Sequence, residues 1–517
     1  MHKRDLLLAV FVAGTVTLGI EITASRLLGN VFGTSNIVWA NVIGLILVYL
    51  SLGYFIGGRW ADRSPHPRTF YQLLAWAALA AGVVPAAARP ALRLAASAVE
   101  QLDAAVMVGS FLAVLVLFSV PVTLLGCVSP FAIRLAIQDP QTAGRVSGRI
   151  YAVSTFGSIL GTFLPVLWLI PALGTAWTFL ALSLTLMVVG LRGLASTDWK
   201  LALRYLWMPV VLIILGWWSA GSPIKSTVGQ IYEGESAYNY IQVVEQQGTR
   251  YLLLNEGQGI HSMYTPGSNG ATYGTWDYFL AAPFFNPAPF PPSAVERLAL
   301  VGLAAGTIAQ QYTQVFGPIP IDGWEIDPAI IAVGRRYFDM TEANLNAIPE
   351  DGRWGLVHSA AEYTVVGVDA YRLPYIPWHL TTREFFEEVR AHLQADGVLV
   401  INVGRTPDDR RLVDAMASTV GAVFASVHVV DVPNTFNTIV YGTSQLTTPA
   451  NLVENLSALR ASNASPLLID VLERAILNLQ PTPAPTVVFR DDWAPIEQLT
   501  NSMAIRFMLG GDLESLR

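Results

Sequence analysis

The sequence predicts a multi-pass α-helical membrane domain followed by an α/β Rossmann-like domain, with a small β-hairpin element between them. Charged residues are only 13% of the 517 residues and hydrophobic residues are 53%, whereas soluble proteins average about 25% charged residues. The first 220 residues contain fourteen Lys and Arg against seven Asp and Glu, and the remainder contains seventeen against thirty-one. We therefore place the membrane domain at 1–220, the β element at 221–290, the Rossmann-like domain at 291–445, and a C-terminal extension with a Pro-rich linker and a helix at 446–517.

Seven apolar runs in the first part are long enough to cross a bilayer, which takes about 20 helical residues for a hydrocarbon core of roughly 30 Å. Most Lys and Arg of the connecting loops fall on the side of the N-terminus, so the positive-inside rule places that side in the cytoplasm. An odd number of spans then puts the residues after 220 outside the cytoplasm of a cell-membrane protein, and one miscounted span would reverse this expectation. The expected spans are 5–28, 37–58, 70–88, 104–126, 150–172, 174–193 and 203–220.

Two charged residues, Glu21 and Arg26, lie in or near the first span. A charge at the centre of a bilayer costs roughly 2.5–3.5 kcal/mol on insertion scales. The sequence leaves open whether this pair lines a transport path or forms a structural ion pair near the membrane surface. The stretch from Gly57 to Arg63 is similar to a loop of major-facilitator transporters, although such a turn suits any short cytoplasmic loop.

Several kinds of site are not expected. The single cysteine, Cys127, excludes an intramolecular disulfide and any Cys-rich metal site. His261 and His379 are far from each other in sequence, so no metal site is predicted. The acidic second part has no basic runs, which argues against a nucleic-acid partner.

The second part begins with strand and turn signals. Residues 240–245 and 251–255 are rich in β-formers and flank Gln246-Gln247-Gly248, which predicts an antiparallel hairpin. The apolar run 298–303, followed by a helical stretch from Thr307, predicts a buried parallel strand, a tight turn and a helix start. Residues 363–368 and 397–403 predict further buried strands, with an amphipathic helix at 383–394 between them.

Three carboxylates, Glu325, Asp351 and Asp369, follow consecutive predicted strands. They would share the edge at which open α/β sheets bind ligands, and Glu325 would lie where an acidic residue accepts hydrogen bonds from ribose hydroxyls. The turn from Gly302 to Thr307 is not GxGxxG, so a nucleoside such as an S-adenosyl compound is favoured over a dinucleotide. Two alternatives stay open: the glycines serve only tight α/β packing, and the carboxylates only cap the following helices.

The motifs of the chain occur in a recognisable order, and from residue 5 to about residue 445 they carry a resemblance to a known family. They are Glu21 to Arg26, Gly57 to Arg63, Leu125-Gly-Cys-Val-Ser-Pro-Phe131, Tyr151-Ala-Val-Ser-Thr-Phe-Gly-Ser158, Gly302-Leu-Ala-Ala-Gly-Thr307, Glu325-Ile-Asp-Pro328, Asp351-Gly-Arg353, Val366-Gly-Val-Asp369-Ala-Tyr371 and Ile376-Pro-Trp-His-Leu-Thr-Thr-Arg-Glu-Phe-Phe386. In these motifs the chain resembles the spermidine-synthase-like domain, and more closely the membrane-fused spermidine synthase-like proteins of bacteria. The resemblance implies a class I methyltransferase or spermidine synthase type of Rossmann-like fold.

The resemblance also implies a function and a set of ligands. Members of the family move the aminopropyl group of decarboxylated S-adenosylmethionine to putrescine. The chain would then be a membrane-anchored polyamine aminopropyltransferase with decarboxylated S-adenosylmethionine, or S-adenosylmethionine, as co-substrate and no tightly bound cofactor. Its partners would be a nucleoside, a polyamine and the lipid bilayer, and the sequence leaves homo-oligomer formation open.

The resemblance assigns the nucleoside-binding roles residue by residue. Glu325 would hold the ribose, and Asp351, with Gly352 beside it, would hold the adenine amino group. The turn from Gly302 to Gly306 would hold the nucleoside.

Asp369 falls at the family's catalytic carboxylate, where it would orient the attacking amine and take its proton. Two departures concern the acceptor. The Tyr-His-Glu stretch of the soluble enzymes corresponds to Trp276-Asp277-Tyr278, and the second acid of the catalytic loop falls on Arg372, whose charge repels a diamine. They support an alternative in another class, a non-catalytic nucleoside- or polyamine-binding domain coupled to a transport-like membrane module.

Overall fold

Ten helices occupy the described part of the first 220 residues. The computed structural model describes residues 3–32, 36–99, 105–220, 225, 227–255, 259–371 and 375–510. A π-helical turn, Pro165–Leu169, joins the sixth helix to the seventh. The helices are α1 (Lys3–Phe32), α2 (Asn36–Arg63), α3 (Pro67–Val99), α4 (Ala105–Gly126), α5 (Val128–Ala136), α6 (Ala143–Leu164), α7 (Ile170–Leu173), α8 (Thr175–Thr197), α9 (Trp199–Tyr205) and α10 (Trp207–Ala220).

Seven helical segments of the described residues are long and apolar enough to cross a membrane, which is the number expected from the sequence. Consecutive helices such as α4 and α5, or α6 and α7, combine into a single segment because the break between them is one residue or one turn. The segments are Lys3–Gly29, Trp39–Arg63, Pro67–Ala88, Phe111–Ala136, Pro140–Leu173, Thr175–Thr197 and Trp199–Ser219.

Glycines bring the backbones of neighbouring helices into contact. A Cβ atom at Gly157 or Gly161 of α6 would meet the carbonyl oxygens of Phe11 and Thr15 of α1. A small residue at every fourth position is the usual way in which helices pack closely in lipid, where apolar burial gives no preference for helix over lipid. The α1–α6 contact therefore depends on two residues without side chains.

Arg26, at the end of α1, binds backbone carbonyl groups. Its guanidinium donates to the oxygens of Ser236 and Tyr238 at 2.7 and 3.1 Å. Nearby in the chain, the Glu235 carboxylate accepts from the N–H and hydroxyl of Thr175 at the start of α8, at 2.6 and 2.9 Å. All of these residues belong to the first of two compact units into which the chain divides. Of the two interpretations of Arg26, the contacts favour a structural role.

A four-stranded sheet follows the helices, with the strands in chain order. In the predicted hairpin, Gln247 and Gly248 both have positive φ, 51° and 79°. Two such residues are what a type I′ turn between antiparallel strands requires, and the predicted hairpin is confirmed. The strands are β1 (Gln230–Glu235), β2 (Tyr240–Gln246), β3 (Thr249–Leu254) and β4 (Ile260–Tyr264).

The second unit is built on an eight-stranded sheet. Its strands are β5 (Leu298–Val301), β6 (Ile321–Trp324), β7 (Leu345–Ile348), β8 (Tyr363–Val368), β9 (Leu393–Gly404), β10 (Ser426–Asp431), β11 (Asn437–Thr443) and β12 (Leu479–Gln480). They lie in the order β12-β10-β11-β9-β8-β5-β6-β7. The neighbouring strands β9, β8, β5, β6 and β7 are parallel to one another, and β11 is antiparallel to both of its neighbours. This order confirms the predicted Rossmann-like fold of the methyltransferase type, and the strand order reverses between β5 and β8, where such sheets bind ligands.

Helices cover both faces of this sheet. Residues of β5 alternate between two cores, with Leu298 and Leu300 in one and Ala299 and Val301 in the other, as a strand buried on both faces requires. The helices are α11 (Thr307–Phe316), α12 (Pro328–Tyr337), α13 (Gly352–His358), α14 (Arg383–Ala391), α15 (Arg411–Gly421), α16 (Pro449–Ala461), α17 (Pro466–Leu477) and α18 (Ile496–Gly510). The amphipathic helix expected at 383–394 is shorter than expected, because β9 already begins at Leu393.

Segments outside 291–445 also contribute to the sheet domain. The 3₁₀-helix Thr275–Phe285 is almost wholly buried in one core, together with apolar residues of α16 and α17. Ile496 and Met503 of α18 are buried in the other core, and β12 pairs with β10 at the sheet edge. The C-terminal residues therefore form part of both cores in addition to the expected linker and helix.

Candidate functional site

Gly302, Glu325 and Asp369 lie side by side at the carboxyl edge of the sheet. The last residues of β5, β6 and β8 are in register, since Val301 pairs with both Trp324 and Val368, and each of the three residues follows one of these strands. Asp351 lies three residues beyond the end of β7, which pairs with β6. The structure therefore brings the three predicted carboxylates to one edge, at the point where the strand order reverses.

The turn after β5 depends on glycine. Gly302 and Gly306 have φ values of 94° and 90°, which glycine adopts without the steric penalty of other residues. A Cβ atom at Gly302 would lie 2.5 Å from the carbonyl oxygen of Asp369, and one at Gly306 would lie 2.6 Å from the side chain of Met340. The turn thus packs directly against the backbone that carries Asp369.

Strand β4 lies against the same turn. The N–H of Ala305 donates to the Ser262 hydroxyl at 2.9 Å, and the Thr307 hydroxyl bonds both the N–H and the C=O of Met263 at 3.0 Å. These contacts fix the turn from the side opposite to the sheet. A rigid turn whose backbone is close-packed suits a ligand that is approached by main-chain atoms.

Glu325 is 9% exposed and points its carboxylate at the turn. Its Oε2 accepts from the N–H of Ala304 at 3.0 Å, and its Oε1 accepts from the N–H of Asp327 at 3.1 Å. Burial raises the pKa of Glu325 from its ordinary 4.5 to about 7, against the lowering effect of these two hydrogen bonds. The carboxyl group is therefore poised between its two protonation states near neutral pH.

Asp351 caps α13. Its Oδ1 accepts from the N–H groups of Arg353 and Trp354 at 3.1 and 3.0 Å. Its Oδ2 lies 3.1 Å from Nε2 of His379, and this hydrogen bond is the main reason why the pKa of Asp351 is lowered. Gly352 lets α13 pack on β5, since a Cβ atom there would lie 2.6 Å from Cγ1 of Val301. Helix capping, one of the alternatives left open, is thus real for Asp351, and a carboxylate oxygen with two lone pairs retains capacity on Oδ2.

Asp369 is held by a side chain from β9. Its Oδ1 accepts from Nδ2 of Asn402 at 2.9 Å. Burial raises the pKa of Asp369, and the Asn402 amide and the Trp276 indole oppose this shift. Tyr371 donates its hydroxyl to the carbonyl oxygen of Asn402 at 3.1 Å. Asp369 therefore presents a partly exposed carboxylate whose orientation is fixed.

Sequence reasoning did not identify Asn402 as a site residue. It is the one polar residue in the apolar run 397–403, and a lone amide in a buried strand is a signal that could have found it. It follows Ile401, which pairs with the last residue of β8. Trp276 was noted as a family departure, but its contact with Asp369 spans 93 positions and has no local signal.

Asp277, next to Trp276, is not available to a ligand. Its side chain is fully buried and accepts from the N–H of Tyr273 at 2.9 Å, from Gln311 at 2.7 Å and from the guanidinium of Arg474 at 2.9 Å. The ion pair with Arg474 neutralises its charge. The other position at which the family departs, Arg372, lies outside the described residues.

Among the described residues no group of three or more His, Cys, Asp or Glu is arranged to hold a metal ion. His261 is half-buried, and removal from water lowers its pKa to about 4. A cavity of about 470 Å³ lies beside Asp322 and Trp324, and its lining contains none of the three edge carboxylates. Arg297 of the lining and the nearby Tyr363 both bind Asp322, so the charge of Asp322 is already paired.

Two known proteins are similar to part of this chain. No family model matches the chain. It is 35% identical over 209 residues to a probable polyamine aminopropyl transferase of Bifidobacterium longum (strain NCC 2705), which covers 40% of this chain and 45% of that protein. It is 28% identical over 236 residues to a polyamine aminopropyltransferase of Vibrio vulnificus (strain CMCP6), covering 44% and 75%. The chain thus spans less than half the length of the first of these relatives.

Solved structures of spermidine synthases are also similar to the chain. A probable spermidine synthase from Corynebacterium glutamicum ATCC 13032 has a TM-score of 0.39 and 20% identity, and the match covers 48% of this chain and 95% of that one. A spermidine synthase in complex with the transition state analogue AdoDATO has a TM-score of 0.36 and 16% identity, with 44% and 78% covered. The sequence relatives support a spermidine synthase-like protein, in agreement with the motifs of the chain.

Proposed function

We propose that the second unit is an aminopropyltransferase that moves an aminopropyl group from decarboxylated S-adenosylmethionine to an amine acceptor of the polyamine class. The observation that carries the proposal is the placement of Asp369, a partly exposed carboxylate oriented by Asn402, beside the turn at Gly302 and the buried Glu325. The relatives named as aminopropyl transferases support the same chemistry.

The donor would lie over the glycine turn. The Glu325 carboxylate, fixed by two backbone N–H groups, has lone pairs left for the ribose hydroxyls. Asp351 would bind the adenine amino group through Oδ2, since Oδ1 is used by the start of α13. The close approach of the turn to the backbone of Asp369 would put the sulfonium end of the donor next to that residue.

The transfer itself needs a base and no acid. The lone pair of a neutral acceptor amine would attack the propyl carbon bonded to sulfur, and the C–S bond would break with its electron pair left on sulfur, releasing methylthioadenosine. The new nitrogen centre carries an extra proton, which Asp369 would accept. Because burial raises the pKa of Asp369, it is a stronger base than an exposed aspartate. Its hydrogen bond to Asn402 keeps it oriented, and such positioning supplies much of the rate enhancement.

A second function, binding of a nucleoside without transfer, is favoured by one observation. Asp277, at the stretch that corresponds to the family's polyamine-binding Tyr-His-Glu, is paired with Arg474 and cannot hold an acceptor ammonium. In this alternative the domain would report nucleoside or polyamine levels to a transport-like membrane module.

Calorimetry and a product assay on the full-length chain separate these proposals. Decarboxylated S-adenosylmethionine and methylthioadenosine should both bind, and putrescine or a related amine should release methylthioadenosine from the donor. Binding without release on any amine would favour the second function, and no binding at millimolar ligand would refute both. Asp369→Asn should abolish transfer while nucleoside affinity stays within about twofold, because Glu325 and Asp351 make the donor contacts. Equal loss of binding and turnover would show that Asp369 has another role.

We further propose that the seven candidate spans anchor this enzyme in the cell membrane. Donors of this kind are made in the cytoplasm, whereas seven spans with the N-terminus inside would place the second unit outside. A reporter fused after Arg517 decides the side. A cytoplasmic reporter would support transfer, and an external one would support the binding function.

A further inference from the structure

Arg353, the second residue of α13, uses every N–H of its guanidinium. Nε and Nη2 donate to the two carboxylate oxygens of Glu388 at 2.6 and 2.8 Å. Nη1 and Nη2 donate to the two oxygens of Asp491 at 2.9 Å each, and Nη1 also donates to the carbonyl oxygen of His379 at 2.9 Å. Guanidinium carries five N–H donors in a rigid plane. Two bidentate pairs and a carbonyl group therefore fix the orientation of all four residues.

Asp491 belongs to a short C-terminal segment, residues 489–491, that we name the strap. It binds the start of α14 through two backbone contacts: Arg383 donates its N–H to Phe489 at 2.9 Å, and Asp491 donates its N–H to Glu384 at 3.0 Å. The Thr382 hydroxyl donates to Oδ1 of Asp491 at 2.6 Å.

Phe489 fixes the other end of the strap. Its side chain is fully buried, and its N–H donates to the Thr419 hydroxyl of α15 at 3.0 Å. The strap is thus attached to α13, α14 and α15 together.

The strap reaches the nucleoside side of the site through His379. The backbone of His379 accepts from Arg353, which Asp491 holds, while its imidazole lies 3.1 Å from Oδ2 of Asp351. Asp351 and Arg353 are also separated by a single residue at the start of α13. A displaced Arg353 would therefore move Oδ2 of Asp351 in two ways, through the helix start and through His379.

Neutralising Arg353 does not require the strap. Arg353 is 16% exposed and already forms a complete bidentate pair with Glu388, which is enough to compensate a single positive charge. The carboxylate of Asp491 is 41% exposed, and water would satisfy it if the strap were absent. The second bidentate pair, between Arg353 and Asp491, instead constrains the orientation of the guanidinium. It prevents a rotation of the guanidinium plane that the pair with Glu388 alone would permit.

We propose that Asp491 and Arg353 are positioning residues for nucleoside binding, and that they act through His379 on Oδ2 of Asp351. This inference rests on the proposed function, in which Asp351 binds the adenine amino group. It assigns the C-terminal strap a role in substrate affinity, although the strap lies more than 100 residues from the edge carboxylates in sequence.

The test compares Asp491→Asn with Asp492→Asn in the full-length protein. Both substitutions remove one negative charge from adjacent exposed residues, and only Asp491 contacts Arg353. We expect Asp491→Asn to weaken methylthioadenosine binding in calorimetry about tenfold, the effect of losing one charge-assisted bidentate contact. The KM for the donor should rise by the same factor with kcat nearly unchanged, since Asp369 is untouched. Asp491→Glu should recover part of the affinity, and Asp492→Asn should behave as wild type.

The outcomes separate this inference from the proposed function. If wild-type protein binds methylthioadenosine and Asp491→Asn binds it within twofold, the strap has only a structural role and the inference is wrong, whatever the change in melting temperature. An equal loss in Asp492→Asn would also overturn it, because the effect would then come from net charge. If wild-type protein does not bind the nucleoside at all, the proposed function fails and the inference fails with it.

Discussion

Replacement of Glu325 by Gln tests the most perturbed carboxyl group of the site. The pKa of Glu325 is about 7 in the folded protein, against an ordinary value of 4.5. At about 1.36 kcal/mol per pKa unit, the ionised side chain costs the fold roughly 3 kcal/mol at pH 8. Gln carries no charge, and its amide oxygen can replace only one of the two acceptors because its NH₂ group is a donor, so either Ala304 or Asp327 loses its hydrogen bond. That loss costs roughly 1–3 kcal/mol for a buried group.

The sign of the pH dependence follows from the raised pKa. Folding of the wild-type protein takes up a proton between pH 4.5 and about 7, so the contribution of Glu325 to stability is complete below pH 4.5 and is lost as pH rises through about 7. Glu325→Gln lacks this titration. We therefore expect the mutant to be less stable than wild type at pH 5, by roughly 1–3 kcal/mol, and to approach or exceed wild-type stability at pH 8.

Melting temperatures of both proteins, measured from pH 5 to pH 8 in one detergent, give the comparison. All other carboxyl groups are common to both proteins and cancel in the difference. A difference that stays constant across this range would refute the argument that Glu325 titrates near neutral pH. Calorimetry of methylthioadenosine on the same samples adds the functional readout: affinity should rise with pH in the wild type, because the ribose hydroxyls donate to the carboxylate, and should not change with pH in Glu325→Gln.

Two further substitutions follow from the packing of the site. Gly302→Ala should destabilise the protein by at least about 2–3 kcal/mol and abolish transfer, because its Cβ would lie 2.5 Å from the Asp369 carbonyl at a φ of 94°. The control Gly317→Ala, at a φ of 82° in open space, should cost only about 1 kcal/mol and keep activity. If thermal denaturation and transfer assays showed equal losses for both variants, the close contact at Gly302 would not be the cause. Arg474→Met should cost about 3–5 kcal/mol by leaving Asp277 buried without its cation. Adding Asp277→Asn should recover most of that loss in melting temperature, and no recovery would show that the ion pair is not the cause.

The donor side of the site could be predicted because its signals are local in sequence. Strands β5 and β8 are short, largely apolar runs, and the residue after such a run is placed by the run alone, as with Gly302 after β5 and Asp369 after β8. The requirement for Gly302 also follows from a strand that must turn at once into α11. The seven candidate spans are equally local, since length and apolar composition define them.

What could not be predicted depends on contacts between distant residues. An acidic residue between a strand and a helix is both a good cap and a good ligand group, and Asp351 is the example: its Oδ1 caps α13 while His379 takes Oδ2. The bond between Asp277 and Arg474 joins positions 197 apart, and Arg474 lies in the C-terminal extension, in which the sequence analysis named no site residue. Neither contact leaves a periodicity or a spacing that the sequence could reveal.

The departures from the family lie on the acceptor side of the site, and they bear on which amine can act as acceptor. At the positions where the family holds its acceptor, the Tyr-His-Glu stretch is replaced by one whose Asp277 is bound to Arg474, and the second acid is replaced by Arg372. Asp369 has no cation among its described contacts. Charged hydrogen bonds contribute about 1.5–3 kcal/mol each, so a diamine that loses two of them would bind roughly 10²- to 10⁴-fold more weakly than in an enzyme that keeps both. An amine with one amino group loses nothing by their absence, because its nitrogen needs only Asp369. Under the proposed function, the acceptor is therefore selected by the fit of its carbon chain beside Trp276 more than by ion pairs along that chain.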